Sequence, residues 1–166
     1  MIVVPGPASA ELGKLVAAEL KAEIASVEFK RFPDGESRIR LEGEVKGENV
    51  IIVQTTGPPQ NENLIQLFLL ADTARDLGAK SITAVVPYFA YARQDKRFRP
   101  GECLSAKTIV TLLRTCGVGK IVTVNSHNPV LLKTLSVPVE DLSAIGLLAE
   151  HFRKRGFERV FSLSMG

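Results

Sequence analysis

The 166-residue chain contains no tryptophan, two tyrosines, two methionines and two cysteines, and aromatic residues make up only 6% of it. A surface that binds nucleic acid stacks bases on exposed rings set between basic residues along one face. Twenty-one Lys and Arg against eighteen Asp and Glu leave a net charge of only +3. That small excess gathers in one stretch, which suits a small anionic ligand better than a polyanion. Cys103 and Cys116 stand thirteen positions apart, with no Cys-x-x-Cys and no adjacent histidine. This is not a zinc spacing, and two buried, reduced thiols are expected. No apolar run approaches the ~20 residues of a membrane span. The start, Met1-Ile2-Val3-Val4-Pro5, lacks the basic residues and long apolar stretch of a secretory signal. A cytoplasmic protein without a membrane partner is therefore expected.

What is present is globular. Hydrophobic residues make up 45% and charged residues 23%, enough to bury a core. The length suits one domain, or one domain and part of another. Strand and helix patterns alternate along the chain. Residues 2–4 read as a strand, and residues 7–20 lead into a helix with Leu12, Leu15, Val16 and Leu20 on its apolar face. Residues 27–29 and 37–41 flank Pro33-Asp34-Gly35, a combination that predicts a tight reversal and a hairpin. Residues 50–54 read as a buried strand. Residues 61–77 predict an amphipathic helix closed by Gly78, with Asn61-Glu62-Asn63 available to cap its start. A strand over 81–89, a helix over 104–115 stopped by Gly117, and a strand over 120–124 follow. Such alternation implies βαβ crossovers and a mostly parallel sheet with helices on both faces. A further helix over 143–155 and a strand over 160–163 close the chain.

The chemistry concentrates after the strand that ends at Phe89. Arg93, Lys96, Arg97 and Arg99 fall within seven positions, opposed there by Asp95. In an open α/β sheet, ligands bind beyond the carboxyl ends of the strands. A planar guanidinium and a flexible ammonium at that position suit phosphate oxygens. The charge run taken alone also fits a solvated basic turn. A lone His127 just past a strand also fits a hydrogen-bonded structural residue.

Four motifs in register narrow the reading. Arg31-Phe32-Pro33-Asp34-Gly35-Glu36 precedes a strand, and Asn61-Glu62-Asn63-Leu64-Ile65-Gln66-Leu67 opens a helix. Pro87-Tyr88-Phe89-Ala90-Tyr91-Ala92-Arg93-Gln94-Asp95-Lys96 joins a strand to the basic loop, and His127 follows the next strand. In this order and at these separations the chain resembles the N-terminal half of the ribose-phosphate pyrophosphokinases, the phosphoribosyl pyrophosphate synthetases. The resemblance implies a phosphoribosyltransferase-like α/β fold. It implies transfer of the diphosphoryl group of ATP to ribose 5-phosphate, with Mg²⁺ as cofactor, in a homodimer or larger homo-oligomer. Arg93 and Gln94 then correspond to the ATP-contacting pair, with Lys96 adding charge over the polyphosphate. His127 corresponds to the histidine that ligates Mg²⁺ and is the catalytic candidate. Phe32, Asp34 and Glu36 correspond to residues that reach the adenine bound by a neighbouring subunit.

Two departures stand out. The family often carries an acidic residue where this chain has Asn125, and Glu140-Asp141 lie near another acidic position of the family but also fit an ordinary surface pair. The family's phosphoribosyl-binding loop, an acidic pair followed by Thr and Gly, is not found in these 166 residues. The chain is accordingly expected to comprise an ATP-side domain, residues 1–142, and the start of a truncated second domain, residues 143–166. It is expected to be incompetent alone, the alternative being a non-catalytic nucleotide-binding or regulatory subunit that assembles with a complete homologue.

Overall fold

A computed structural model describes residues 1–127 and 137–157. Its main sheet has six parallel strands in the order β2-β1-β5-β6-β7-β8, with β1 Ile2–Pro5, β2 Glu23–Ile24, β5 Asn49–Val53, β6 Ser81–Val86, β7 Lys120–Val124 and β8 Val139–Leu142. Among the described residues three helices, α1 Ala10–Leu20, α2 Gln60–Asp76 and α3 Ser105–Thr115, connect or follow its strands. A separate antiparallel hairpin, β3 Ser26–Arg31 and β4 Ser37–Glu42, pairs Arg31 with Ser37 at its tip. The last described element is α4, Ile145–Lys154. The expected α/β sheet and hairpin are both present.

Alternation along the buried strands sorts their side chains onto two faces. Ile2, Val4, Val50, Ile52, Ala84, Val86 and Ile121 point toward α2 and α3, where Leu67, Leu70, Val110 and Leu113 are fully buried. Each such side chain contributes about 1.5–3 kcal/mol by leaving water. Leu41, Ala25 and Val45 at the base of the hairpin join this same core. The opposite face carries Val3 and Val53, covered by Ala17 and Val16 of α1.

The covering of that second face corrects the sequence reading of α1. Leu12, Leu15 and Leu20 are exposed, and the buried positions are Gly13 and Ala17. The reason is distance: a Cβ on Gly13 would lie 2.6 Å from Pro5 Cβ and 2.7 Å from Pro5 Cα. The helix therefore rests on β1 through its smallest residues, and the leucines flank the contact. Its end is a Schellman turn with Lys21 in the left-handed region at φ 50°, Ala22 N–H donating to Ala17 O at 2.9 Å.

Two other corrections concern ends of elements. The strand expected to run to Phe89 stops at Val86, because Pro87 has no N–H for the ladder. The helix expected to be capped by Asn61-Glu62-Asn63 begins after Pro59 with no side-chain cap, and those residues bond elsewhere. Two short strands, β2 and β8, were not expected from the sequence, and residues 7–9, read as the lead into the helix, form a 3-10 turn. The cysteines also depart from expectation: Cys103 is exposed and Cys116 only half-buried. Partial burial pushes the Cys116 thiol up. The strand expected over 160–163 lies outside the described residues.

The chain leaves β1 for β2 on one side and returns to β5 on the other. The sheet's topological switch point, the usual ligand crevice, therefore lies between the carboxyl ends of β1 and β5. Here that crevice is filled. Gln54 is fully buried; its Nε2 donates to Gln66 Oε1 at 2.9 Å and to Asn63 O at 3.3 Å, and its Oε1 accepts from Ala8 N–H at 3.0 Å. A Cβ on Gly6 would collide with that same amide oxygen. Ser9 Oγ accepts from Thr55 N–H at 2.7 Å beside it.

Two stability outcomes follow from this packing. Gly13→Ala gains helix propensity of up to about 1 kcal/mol, yet the clash with Pro5 outweighs it, since overpacking costs about 1–3 kcal/mol. Urea denaturation is expected to show a net loss, and a gain would refute the close approach. Gln54→Leu keeps the volume but strands Ala8 N–H and Gln66 Oε1, and should cost at least about 2 kcal/mol by the same measurement.

Candidate phosphate site at the carboxyl edge of the sheet

With the switch point sealed, the open part of the carboxyl edge lies one step along, after β6 and β7. These strands are parallel neighbours, Val85 beside Val122 and Val86 beside Thr123. The loops that follow them therefore leave the sheet side by side. Arg93, Gln94 and Lys96 lie in the first loop and His127 in the second, all exposed.

The loop after β6 is fixed at its root. Phe89, Ala90 and Ala92 are buried, Ala90 N–H donates to Thr56 Oγ1 at 2.8 Å, and Thr56 in turn donates to Tyr88 O through its hydroxyl at 2.7 Å. Tyr91 then takes a left-handed backbone at φ 65°, uncommon for a bulky residue and costing about 1–3 kcal/mol. Its hydroxyl donates to Asn61 Oδ1 at the start of α2. This turn carries the chain from the buried Ala92 to the exposed Arg93.

Beyond it, Gln94 is tied to the start of α3. Its Oε1 accepts from Ser105 Oγ at 2.6 Å and Cys103 Sγ at 3.1 Å, and its carbonyl accepts from Ala106 N–H at 3.3 Å. The rest of the loop closes around Glu102, whose Oε2 accepts from Phe98 N–H at 2.7 Å and Arg99 N–H at 3.2 Å. The Glu102 carbonyl takes Arg97 Nε–H at 2.7 Å. Lys96 Nζ sits 4.9 Å from the centre of the Phe98 ring, an exposed cation–π contact. Glu102 was not singled out from the sequence, yet a carboxylate a few residues past a cationic run is the signal that would have found it.

After β7 the chain turns at Asn125, again left-handed at φ 46°, a conformation asparagine tolerates. Asn125 Oδ1 accepts from Ala144 N–H at 3.1 Å, so this residue shapes the turn and ties it to the start of the final helix. Asp141 is more than a surface carboxylate. Half-buried on β8, it accepts from Ser126 N–H at 3.0 Å and Ser126 Oγ at 2.7 Å, holding the residue that precedes His127. Glu140 instead pairs with Lys120 at 2.6 Å on the surface. The alternation Val139-Glu140-Asp141-Leu142 marks the short strand that separates the two roles. Thr123 Oγ1 is buried without a hydrogen-bond partner among the described residues.

Phe32, Asp34 and Glu36 do not join this edge. They occupy the hairpin tip, closed by Phe32 N–H to Glu36 O at 2.8 Å and Gly35 N–H to Phe32 O at 2.9 Å. Asp34 Oδ1 accepts from Glu36 N–H at 3.1 Å, so one carboxyl oxygen already serves the turn. Phe32 is 40% exposed and does not pack beneath the turn. Among the described residues no group of three or more His, Cys, Asp or Glu is placed to hold a metal ion. No helix among them is long and apolar enough to cross a membrane.

The family profile for the N-terminal domain of ribose phosphate pyrophosphokinase matches residues 1–117. A ribose-phosphate pyrophosphokinase from Methanobrevibacter smithii is 42% identical over 154 residues, 93% of this chain and 51% of that protein. One from Methanothermobacter thermautotrophicus is 47% identical over 144 residues, 87% of this chain and 50% of that protein. The crystal structure of phosphoribosylpyrophosphate synthetase from Mycobacterium smegmatis superposes with a TM-score of 0.84 at 32% identity, over 93% of this chain and 51% of that one. The chain thus spans about half the length of the curated relatives it matches.

Proposed function

This chain belongs to the ribose-phosphate pyrophosphokinase family, and we propose that it supplies the nucleotide side of that family's reaction. The observation that carries the reading is the loop after β6, cationic at its surface and anchored at its root by Thr56, Asn61 and Ser105. The reaction is transfer of the diphosphoryl group of ATP to the 1-hydroxyl of ribose 5-phosphate. Such transfer asks little covalent help of a protein and depends on positioning and charge neutralisation.

In this reading Arg93 offers its planar fork to phosphate oxygens. Lys96 adds a point charge, swinging off the Phe98 ring as the polyphosphate arrives. Gln94, its oxygen already occupied by Ser105 and Cys103, turns its amide donors toward the nucleotide. His127, at the end of the neighbouring loop, is the residue for the cation or for a proton at the phosphates. Mg²⁺ is a hard cation that takes oxygen ligands, usually one or two carboxylates with phosphates and water, so beside an imidazole the phosphates and water would supply most of its shell. When bound, the ion neutralises charge on the polyphosphate. Asp141, through Ser126, keeps the His127 loop in place.

The hairpin carries Phe32, Asp34 and Glu36 outward, an exposed aromatic and two carboxylates suited to stacking on adenine and accepting from its amine. That disposition supports a site completed across subunits, and hence a homodimer or larger assembly. A domain boundary near residue 142 is supported by α4, which buries none of its side chains and leaves Ile145, Leu147 and Leu148 exposed. Residues 143–166 then open a second unit that would bring the ribose 5-phosphate.

Calorimetric titration with Mg-ATP tests the reading. The parent chain is expected to bind in the micromolar to millimolar range. Arg93→Ala should weaken binding by at least about tenfold, the loss of a hydrogen bond to a charged group being about 1.5–3 kcal/mol, and His127→Ala should weaken it in the presence of Mg²⁺. A parent that does not bind would overturn the nucleotide reading, and an Arg93→Ala variant that binds equally well would remove Arg93 from the site.

A further inference from the structure

The two parts of the nucleotide site, the basic loop and the hairpin, belong to different sheets, but the first turn of α2 touches both. Asn61 Oδ1 takes the Tyr91 hydroxyl, two residues before Arg93. Glu62 Oε1 pairs with Arg31, the last residue of β3 and the one preceding Phe32. The turn is held from beneath. Gln66 Nε2 donates to the same Glu62 oxygen at 3.2 Å while its own oxygen takes the buried Gln54 amide, and Asn63 Nδ2 donates to Gly57 O at 2.8 Å. We infer that Asn61 and Glu62 are positioning residues, setting the basic loop through Tyr91 and the hairpin through Arg31 in one fixed relation.

The physical argument has two halves. A bulky residue stays in the left-handed region only when its surroundings hold it there, and the Asn61 bond is such a hold at Tyr91. Relaxation of that turn would re-aim Arg93 and Gln94 together. Arg31 is 53% exposed and Glu62 24%, so their pair adds little to global stability. What it fixes is the direction in which the hairpin leaves β3. The two contacts therefore act on different portions of the bound nucleotides, the loop on the polyphosphate in its own subunit's site and the hairpin on the base in the neighbouring subunit's site.

This inference rests on the nucleotide reading above, and its test separates the two. Mg-ATP and Mg-tripolyphosphate are titrated calorimetrically into the parent chain, Asn61→Ala, Tyr91→Phe, Glu62→Gln and Arg31→Gln, with thermal unfolding of each. Asn61→Ala and Tyr91→Phe should weaken both ligands about threefold to tenfold, the range of one hydrogen bond, and their double variant no further. Glu62→Gln and Arg31→Gln should weaken ATP by a similar factor while leaving tripolyphosphate within about twofold, with unfolding midpoints near the parent's. Variants that bind both ligands as the parent does would overturn the inference alone. So would losses equal for both ligands that simply track a lowered midpoint. A parent that binds neither ligand would overturn the nucleotide reading, and this inference with it.

Discussion

The buried amide of Gln54 is the constraint on which the arrangement of the site depends. It lies at the carboxyl ends of β1 and β5, where an open parallel sheet normally leaves its ligand crevice. A buried amide left unpaired would cost on the order of 1–3 kcal/mol for each group. Gln54 is paired throughout, with Gln66, Asn63 and Ala8. Those bonds lock the first turns of α2 against the sheet and fill the space between β1 and β5. The same network reaches the surface through Glu62, which shares its oxygen between Gln66 and Arg31.

With the switch point filled, the open part of the carboxyl edge lies at β6 and β7. The loop there is an assembly of local hydrogen bonds around one internal carboxylate, Glu102, with a buried root at Phe89, Ala90 and Ala92. The Glu102 carboxylate takes the Phe98 and Arg99 backbone N–H groups, closing the turn that carries the cations. Asp141 does for the His127 loop what Thr56 and Asn61 do for the basic loop. The two loops thus rest on partners from other segments, with Thr56 buried, Asp141 half-buried and Asn61 exposed. Such partners give the two loops a fixed geometry, which the proposed polyphosphate site would require.

Much of this was legible in the residues. The β-branched runs at 50–53 and 81–86 are buried strands because both faces of a parallel sheet are covered, and the sequence carries that as unbroken hydrophobicity. Gly78 and Gly117 end their helices at positive φ, as their positions implied. Pro33-Asp34-Gly35 makes the expected reversal. The basic loop and His127 stand at exposed positions after β6 and β7, where the site is proposed. The apolar face of α1 was misread because periodicity counts large side chains, whereas the closest helix–strand contact belongs to Gly13 and Ala17. Cys103 was misread for a similar reason: composition favours burial of a free thiol, but its neighbours place it on an exposed loop.

The sequence by itself determined most of the strands, helices and turns, β2 and β8 excepted, and which short motifs carry charge past the strand ends, because these depend on local periodicity and on backbone preferences of Gly, Pro, Asn and Asp. Only the tertiary structure decided which polar side chains serve the fold and which remain for a ligand. Gln54, Asn61, Glu62, Glu102 and Asp141 differ little in type from many surface residues, and their roles come from partners 3 to 46 positions away. A hydrogen bond is a relation between two groups in space, and no property of either residue alone announces it.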